Sequence, residues 1–165
     1  MSSVPFFYSL DYRSAFLANM AGRLRDTISE DCQELLRNKG VVTPVTDVSL
    51  VLFLSMHDMS SIAEIARALD YSHQRTASRI NALEKSGILS RHDDLEDTRC
   101  KRFCLTELGN QDLHKLETVY RAAALAMDEL FQELDDDLME KMLTVITSLK
   151  RSPLSERIVN QENLK

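Results

Sequence analysis

The sequence predicts a mainly α-helical fold carrying one small β-hairpin, and three observations point to it. Turn-forming residues are scarce: the 165 residues include 4 Gly and 3 Pro, too few for the many tight turns of an all-β chain. Apolar residues recur at helical spacing over long stretches at both ends of the chain. Two short β-like runs, "ILSRH" and "KRFCL", flank a single acidic turn.

Taken in order, residues 8–38 carry Leu10, Leu17, Met20, Leu24, Ile28, Cys32 and Leu35. Their spacing marks one face of a long amphipathic helix. Gly40 in "NKGVV" terminates it. In "TPVTDVSLVLFLSMHD", Thr43 reads as an N-cap and Pro44 as the first helical residue. The run Val48 to Leu54 is apolar on nearly all sides, which predicts a short buried helix. Ser61-x-x-Glu64 is a capping box opening a third helix with Ile62, Ile65, Ala66 and Leu69 on its apolar face. Asp70 and Tyr71 interrupt, Ser72 caps a fourth helix, and Gly87 closes it. Two short helices joined this tightly predict a helix-turn-helix, and the hairpin directly after it is a wing. Thr106 caps a long helix with Leu113, Leu116, Tyr120, Ala123, Met127, Leu130 and Leu134 on one face. Asp135 is the expected cap of a last helix ending at Pro153, followed by a polar tail. The wide apolar stripes of the terminal helices have little neighbouring chain to cover them, which predicts a partner subunit.

Hydrophobic residues at 44% and charged residues at 28% are the proportions of one soluble domain with a real core. The formal net charge of −6 argues against a polyanionic ligand, but its distribution matters more than its sum. Residues 71–105 carry seven basic and five acidic groups, a local balance of +2, whereas residues 106–150 carry four and ten. No charged leader precedes an apolar run, and no apolar run approaches the ~20 residues of a membrane span. Three cysteines without a C-x-x-C pair fit a reducing cytoplasm. The expectation is a cytoplasmic protein with no membrane association.

On a helical wheel of about 100° per residue, Thr76, Ile80 and Leu83 form the packing face of the fourth helix. Gln74, Ser78, Asn81 and Lys85 project from the opposite side, with Arg75 and Arg79 along one flank. Arginine can read guanine, glutamine or asparagine can read adenine, and serine either. A helix N-terminus also offers N–H groups to a phosphate.

The stretch "IAEIARALDYSHQRTASRINALEKSGILSRHDDLEDTRCKRFCLTELG" resembles the winged helix-turn-helix of the multiple-antibiotic-resistance regulator (MarR) family. The most specific part is Asp97-Thr98-Arg99, followed by Leu105-Thr106 and Gly109; Leu83-Glu84-x-x-Gly87 is the second anchor. The resemblance implies a winged helix-turn-helix over residues 44–106. It implies N- and C-terminal dimerisation helices over 1–43 and 107–165, all in one continuous domain. It further implies a homodimeric transcriptional regulator, a repressor, on a pseudo-palindromic site in double-stranded DNA. Gln74, Arg75 and Ser78 would contact base edges, and Ser72, His73 and Arg79 phosphates. Arg99 would enter the minor groove from the wing, steadied by Asp97, with Lys101 on the backbone nearby. A small aromatic or phenolic anion is the effector class the resemblance implies, and it brings no cofactor. The chain departs from the family pattern at Ser78, where arginine is frequent, at Leu95, where proline is frequent, and at Tyr71, where a smaller aliphatic residue is usual.

Rival readings of these residues are weaker. The acids of "DDLEDTRCKRFC" lack the glycine and closing glutamate of a calcium loop. His92, Cys100 and Cys104 lack the fourth ligand and spacing of a zinc site, so no metal is expected. Cys32 lies on the apolar stripe of the first helix as a buried small hydrophobe, and is the candidate for an alternative, redox-sensing input. No nucleophile elbow, phosphate loop or zinc-helix motif supports an enzyme. A helical adaptor that kept the dimer and lost DNA binding is the remaining alternative.

Overall fold

The computed structural model describes residues 4–94, 100–134 and 137–162, apart from the side chain of Glu162. Its contacts divide the chain into two units, Met1–Tyr120 and Arg121–Lys165.

In the first unit, the single helix expected over 8–38 is shorter. Two 3-10 turns, Phe6–Ser9 and Arg13–Phe16, precede helix α1, Leu17–Asn38. The rings of Phe7 and Phe16 stack with centroids 4.8 Å apart. A continuous helix would separate residues nine positions apart by about 13 Å, so this aromatic contact and unbroken helix are incompatible. Helix α1 ends as Gly40 predicts. Gly40 adopts φ +67°, the Val41 N–H reaches Leu36 O at 2.9 Å, and the Gly40 N–H reaches Arg37 O at 3.0 Å, a Schellman end.

Thr43 does not cap the next helix. It is fully buried, and its hydroxyl donates to Asp112 Oδ2 at 2.6 Å. The chain passes through a 3-10 turn, Val45–Asp47, into helix α2, Val48–Ser55, with Val48, Leu50, Val51 and Leu54 buried. A two-residue strand β1, Ser60–Ser61, follows, unforeseen in the sequence because two residues carry no periodicity. The capping box then opens helix α3, Ile62–Leu69, with the Ser61 N–H donating to Glu64 Oε2 at 2.7 Å. Asp70, at φ 54°, ends α3 in the left-handed region, and Ser72 accepts the Arg75 N–H to cap helix α4, His73–Lys85.

Strands β2, Leu89–Asp93, and β3, Lys101–Leu105, pair antiparallel as the wing, and β1 adds to the other edge of β3. Thr106 caps helix α5, Glu107–Glu133: its Oγ1 accepts the Gly109 N–H at 2.9 Å and donates to Gly87 O at 2.6 Å. A Cβ at Gly109 would collide with the carbonyl oxygen of Ile88, so glycine is what lets α5 start against the root of the wing.

Leu50, Val51, Leu54, Ile65, Ile80, Leu83, Ile88, Leu89 and Phe103 form one buried core joining α2, α3, α4 and the wing. Each such side chain contributes roughly 1.5–3 kcal/mol on burial. A second cluster, Leu36, Val41, Val48, Leu116 and Val119, packs the end of α1 against the first half of α5.

The second unit holds the rest of α5, helix α6, Leu138–Arg151, and helix α7, Leu154–Glu162. The cap of α6 is Asp137, whose Oδ1 accepts the Glu140 N–H at 3.0 Å; Asp135, expected in that role, lies outside the described residues. Pro153 starts a further helix rather than a polar tail, and Arg157 ties α7 back to the Ser152 carbonyl at 2.9 Å. No helix among the described residues is long and apolar enough to cross a membrane.

Candidate nucleic-acid interface

Helix α4 turns Thr76, Ile80 and Leu83 into the core, as its wheel predicts, and exposes Ser72, His73, Gln74, Arg75 and Ser78 together. Ser72 presents its side chain to the Arg75 N–H at 3.2 Å. The first turn of α4 is therefore partly satisfied by its own cap. An open groove runs along this helix, lined by Thr46, Asp47, Arg75, Ser78, Arg79 and Ala82.

The two arginines of that groove behave differently. Arg79, expected to reach a phosphate, is half-buried. Its guanidinium donates to the Thr46 carbonyl at 2.6 Å and forms an ion pair with buried Asp47. It clamps α4 to the start of α2. A buried carboxylate left without its cation is strongly unfavourable, so this pair holds Arg79 inward. Arg75 instead lies over the ring of Tyr71, 4.2 Å from its centroid. Among the described residues, no group accepts a hydrogen bond from its guanidinium. The Tyr71 hydroxyl is 3.2 Å from Ser49 Oγ on α2. Asp47 and Ser49 are the residues that sequence reasoning missed here, and with Ser49 the contact that Tyr71 makes. They lie 22 to 32 residues from their partners, beyond the reach of helical spacing.

On the wing, Lys101 is exposed and paired across the strands with Asp93, its register partner. That hydrogen bond and charge hold the Asp93 carboxyl below its ordinary range. Arg102 pairs with Asp94, and its Nη1 lies 3.5 Å from Glu64 and 3.3 Å from the Met59 carbonyl. The bond to Asp94 is the first cause of its raised pKa. Arg91 pairs with Glu84 at 2.7 Å. Asp93 and Asp94 are thus not only an acidic turn: they tie the far end of β2 to the return strand, and through Arg102 to the cap of α3. Asp97 and Arg99 lie in residues 95–99, outside the described residues.

Cys32 is half-buried on α1. Burial, and secondarily the charge of Asp31, pushes its thiol upward, which disfavours the reactive thiolate. Tyr120 is pushed up as well, by burial first and Cys32 second. Cys104 Sγ sits 3.2 Å from Ser90 Oγ, which is 3.0 Å from His92 Nε2. Among the described residues, no group of three His, Cys, Asp or Glu side chains is gathered to hold a metal.

No family model and no curated protein sequence matches the chain. Solved structures do. The M. tuberculosis transcriptional regulator MosR, in complex with DNA, is 18% identical at a TM-score of 0.68, covering 84% of this chain and 98% of that one. The S. aureus MepR–DNA complex is 17% identical at 0.69, covering 80% and 96%. The transcriptional repressor CouR, bound to a 23-mer DNA duplex, is 21% identical at 0.66, covering 90% and 99%. At 17 to 21% identity the likeness is one of fold: the chain has the winged-helix fold of these structures.

Proposed function

We propose that the chain is a dimeric DNA-binding transcriptional regulator, a repressor released from its site by a small-molecule effector. The observation that carries this reading is the face of α4. Gln74, Arg75 and Ser78 are exposed on a helix whose other face is locked into the core, and Arg75 and Ser78 line an open groove beside it. Three structures of this fold, MosR, MepR and CouR, hold DNA.

In the proposed complex the two α4 helices enter successive major grooves about 34 Å apart. Gln74, Arg75 and Ser78 contact base edges, and Ser72 and His73 contact phosphates. Arg99, supported by Asp97, enters the minor groove, where a narrow groove deepens the negative potential. Lys101 reaches the backbone by sharing its charge with Asp93. A second copy of the chain would cover Leu17, Met20, Leu24 and Ile28, a stripe of α1 left exposed. A small aromatic or phenolic anion would release DNA only by binding one separation of the two winged regions better than the other.

The test is fluorescence anisotropy with duplexes tiling the region upstream of the protein's own gene. We expect binding that weakens at least about a hundredfold between about 50 and 200 mM salt, as release of several counterions requires. Absence of binding at the lower salt would sink the reading in favour of the helical adaptor.

A further inference from the structure

Arg75 and Arg79 approach the same ring, at 4.2 and 5.8 Å from its centroid. Only Arg79 has its guanidinium edge engaged, by the Thr46 carbonyl and Asp47. The Arg75 guanidinium carbon lies over the Tyr71 ring, and among the described residues no group accepts a hydrogen bond from its N–H groups. The ring itself is anchored. The Tyr71 N–H donates to the Ala66 carbonyl at 2.9 Å, and its hydroxyl meets Ser49 Oγ at 3.2 Å. An arginine held over a fixed ring has already lost much of its rotamer freedom. Its free edge matches the paired acceptors O6 and N7 of guanine in a major groove.

We infer that Tyr71 is a positioning residue that holds Arg75 to read one guanine in each half-site. This rests on the DNA-binding reading above. Preorganisation of the fork favours guanine over adenine, because adenine offers a donor where guanine offers O6 and so meets one of the two N–H groups with a clash. Arg79, held by Asp47, takes no part in the discrimination.

The experiment is selection from a pool of duplexes with a randomised ~20-base-pair centre, using the full chain and three variants. The parent protein is expected to enrich guanine at one position in each half-site, and Arg75→Ala to lose that enrichment. Tyr71→Leu, which keeps apolar packing at the turn, is expected to cut guanine-over-adenine discrimination there by about three- to tenfold. The rest of the selected motif and the salt slope should stay unchanged. Tyr71→Phe, which keeps the ring, is expected to retain the discrimination. A uniform loss of affinity for all sequences in Tyr71→Leu would make the residue merely structural and overturn the inference, as would an unchanged guanine preference. If the parent protein selects no DNA, the DNA-binding reading and this inference fall together. If it selects a motif indifferent to Tyr71, only this inference falls.

Discussion

Ile80 of α4 and Ile28 of α1 sit at equivalent places on the apolar stripe of an amphipathic helix. Ile80 is completely buried, while Ile28 is 38% exposed. The contrast extends to their neighbours. Leu50, Ile65 and Phe103 vanish into the winged core, whereas Leu17 and Leu24 on α1, and Leu143, Ile146 and Ile158 in the second unit, remain open. Periodicity reports which face of a helix is apolar and is silent about what covers it. In the winged core the cover comes from the same chain, through α2, α3 and the wing. Among the described residues of the first unit, the same pattern on α1 lacks that cover, and this supports the proposed second copy.

The largest expected effect separates these two regions directly. Leu50→Ala should cost about 2–5 kcal/mol, because it opens a cavity in a core that cannot fully collapse. That loss should not depend on protein concentration. Ile28→Ala should lower the melting temperature only to the extent that subunits associate, so its effect should change with dilution. Thermal unfolding over a range of concentrations reads both. Equal and concentration-independent losses would break the comparison.

A smaller effect is expected at the joint between the end of α1 and the first half of α5. Buried Asp112 accepts the Val42 N–H at 2.7 Å, the Thr43 N–H at 2.9 Å and the Thr43 hydroxyl at 2.6 Å. Asp112→Asn replaces one acceptor oxygen with a donor that faces donors. We expect a loss of about 2 kcal/mol in denaturant unfolding. A neutral result would mean that this carboxyl is not what fixes the chain as it leaves α1.

The smallest effect lies at the exposed cap of α3. The Ser61 backbone and hydroxyl, followed by the more distant Arg102 and Arg67, hold Glu64 below its ordinary pKa. A depressed carboxylate stabilises the fold above its unfolded pKa and loses that contribution as the pH falls through the folded value, here below about pH 4. Glu64→Gln should therefore flatten the acid limb of the stability curve by less than about 1 kcal/mol, because solvent screens the site. An unchanged acid limb would remove the cap from the account of the winged core.

How legible each feature was depended on the distance between its parts. Ser61 with Glu64, Ser72 with the Arg75 N–H, and Thr106 with the Gly109 N–H are each three residues apart, and all three caps form as read. The buried face of α4 and the two strands of the wing follow from local periodicity in the same way. Thr43 looked like another cap because the residue type and the following proline fit. Its hydroxyl instead belongs to Asp112, 69 residues away. Arg79 is expected at a phosphate from a flank of α4 close to the packing face, and a wheel contains no Asp47 to hold it there. Helix α7 was hidden behind Pro153, which ends one helix and is equally able to precede another.

Most helices, their caps, the turn between α3 and α4 and the hairpin after them are written locally in the chain, since those rest on backbone hydrogen bonds and side-chain spacings within a few residues. Long-range packing settles which of two neighbouring arginines is held inward by a carboxylate and which lies over a tyrosine ring. That difference comes from groups brought together across tens of residues, Asp47 onto Arg79 and Ser49 onto the Tyr71 ring that lies beneath Arg75.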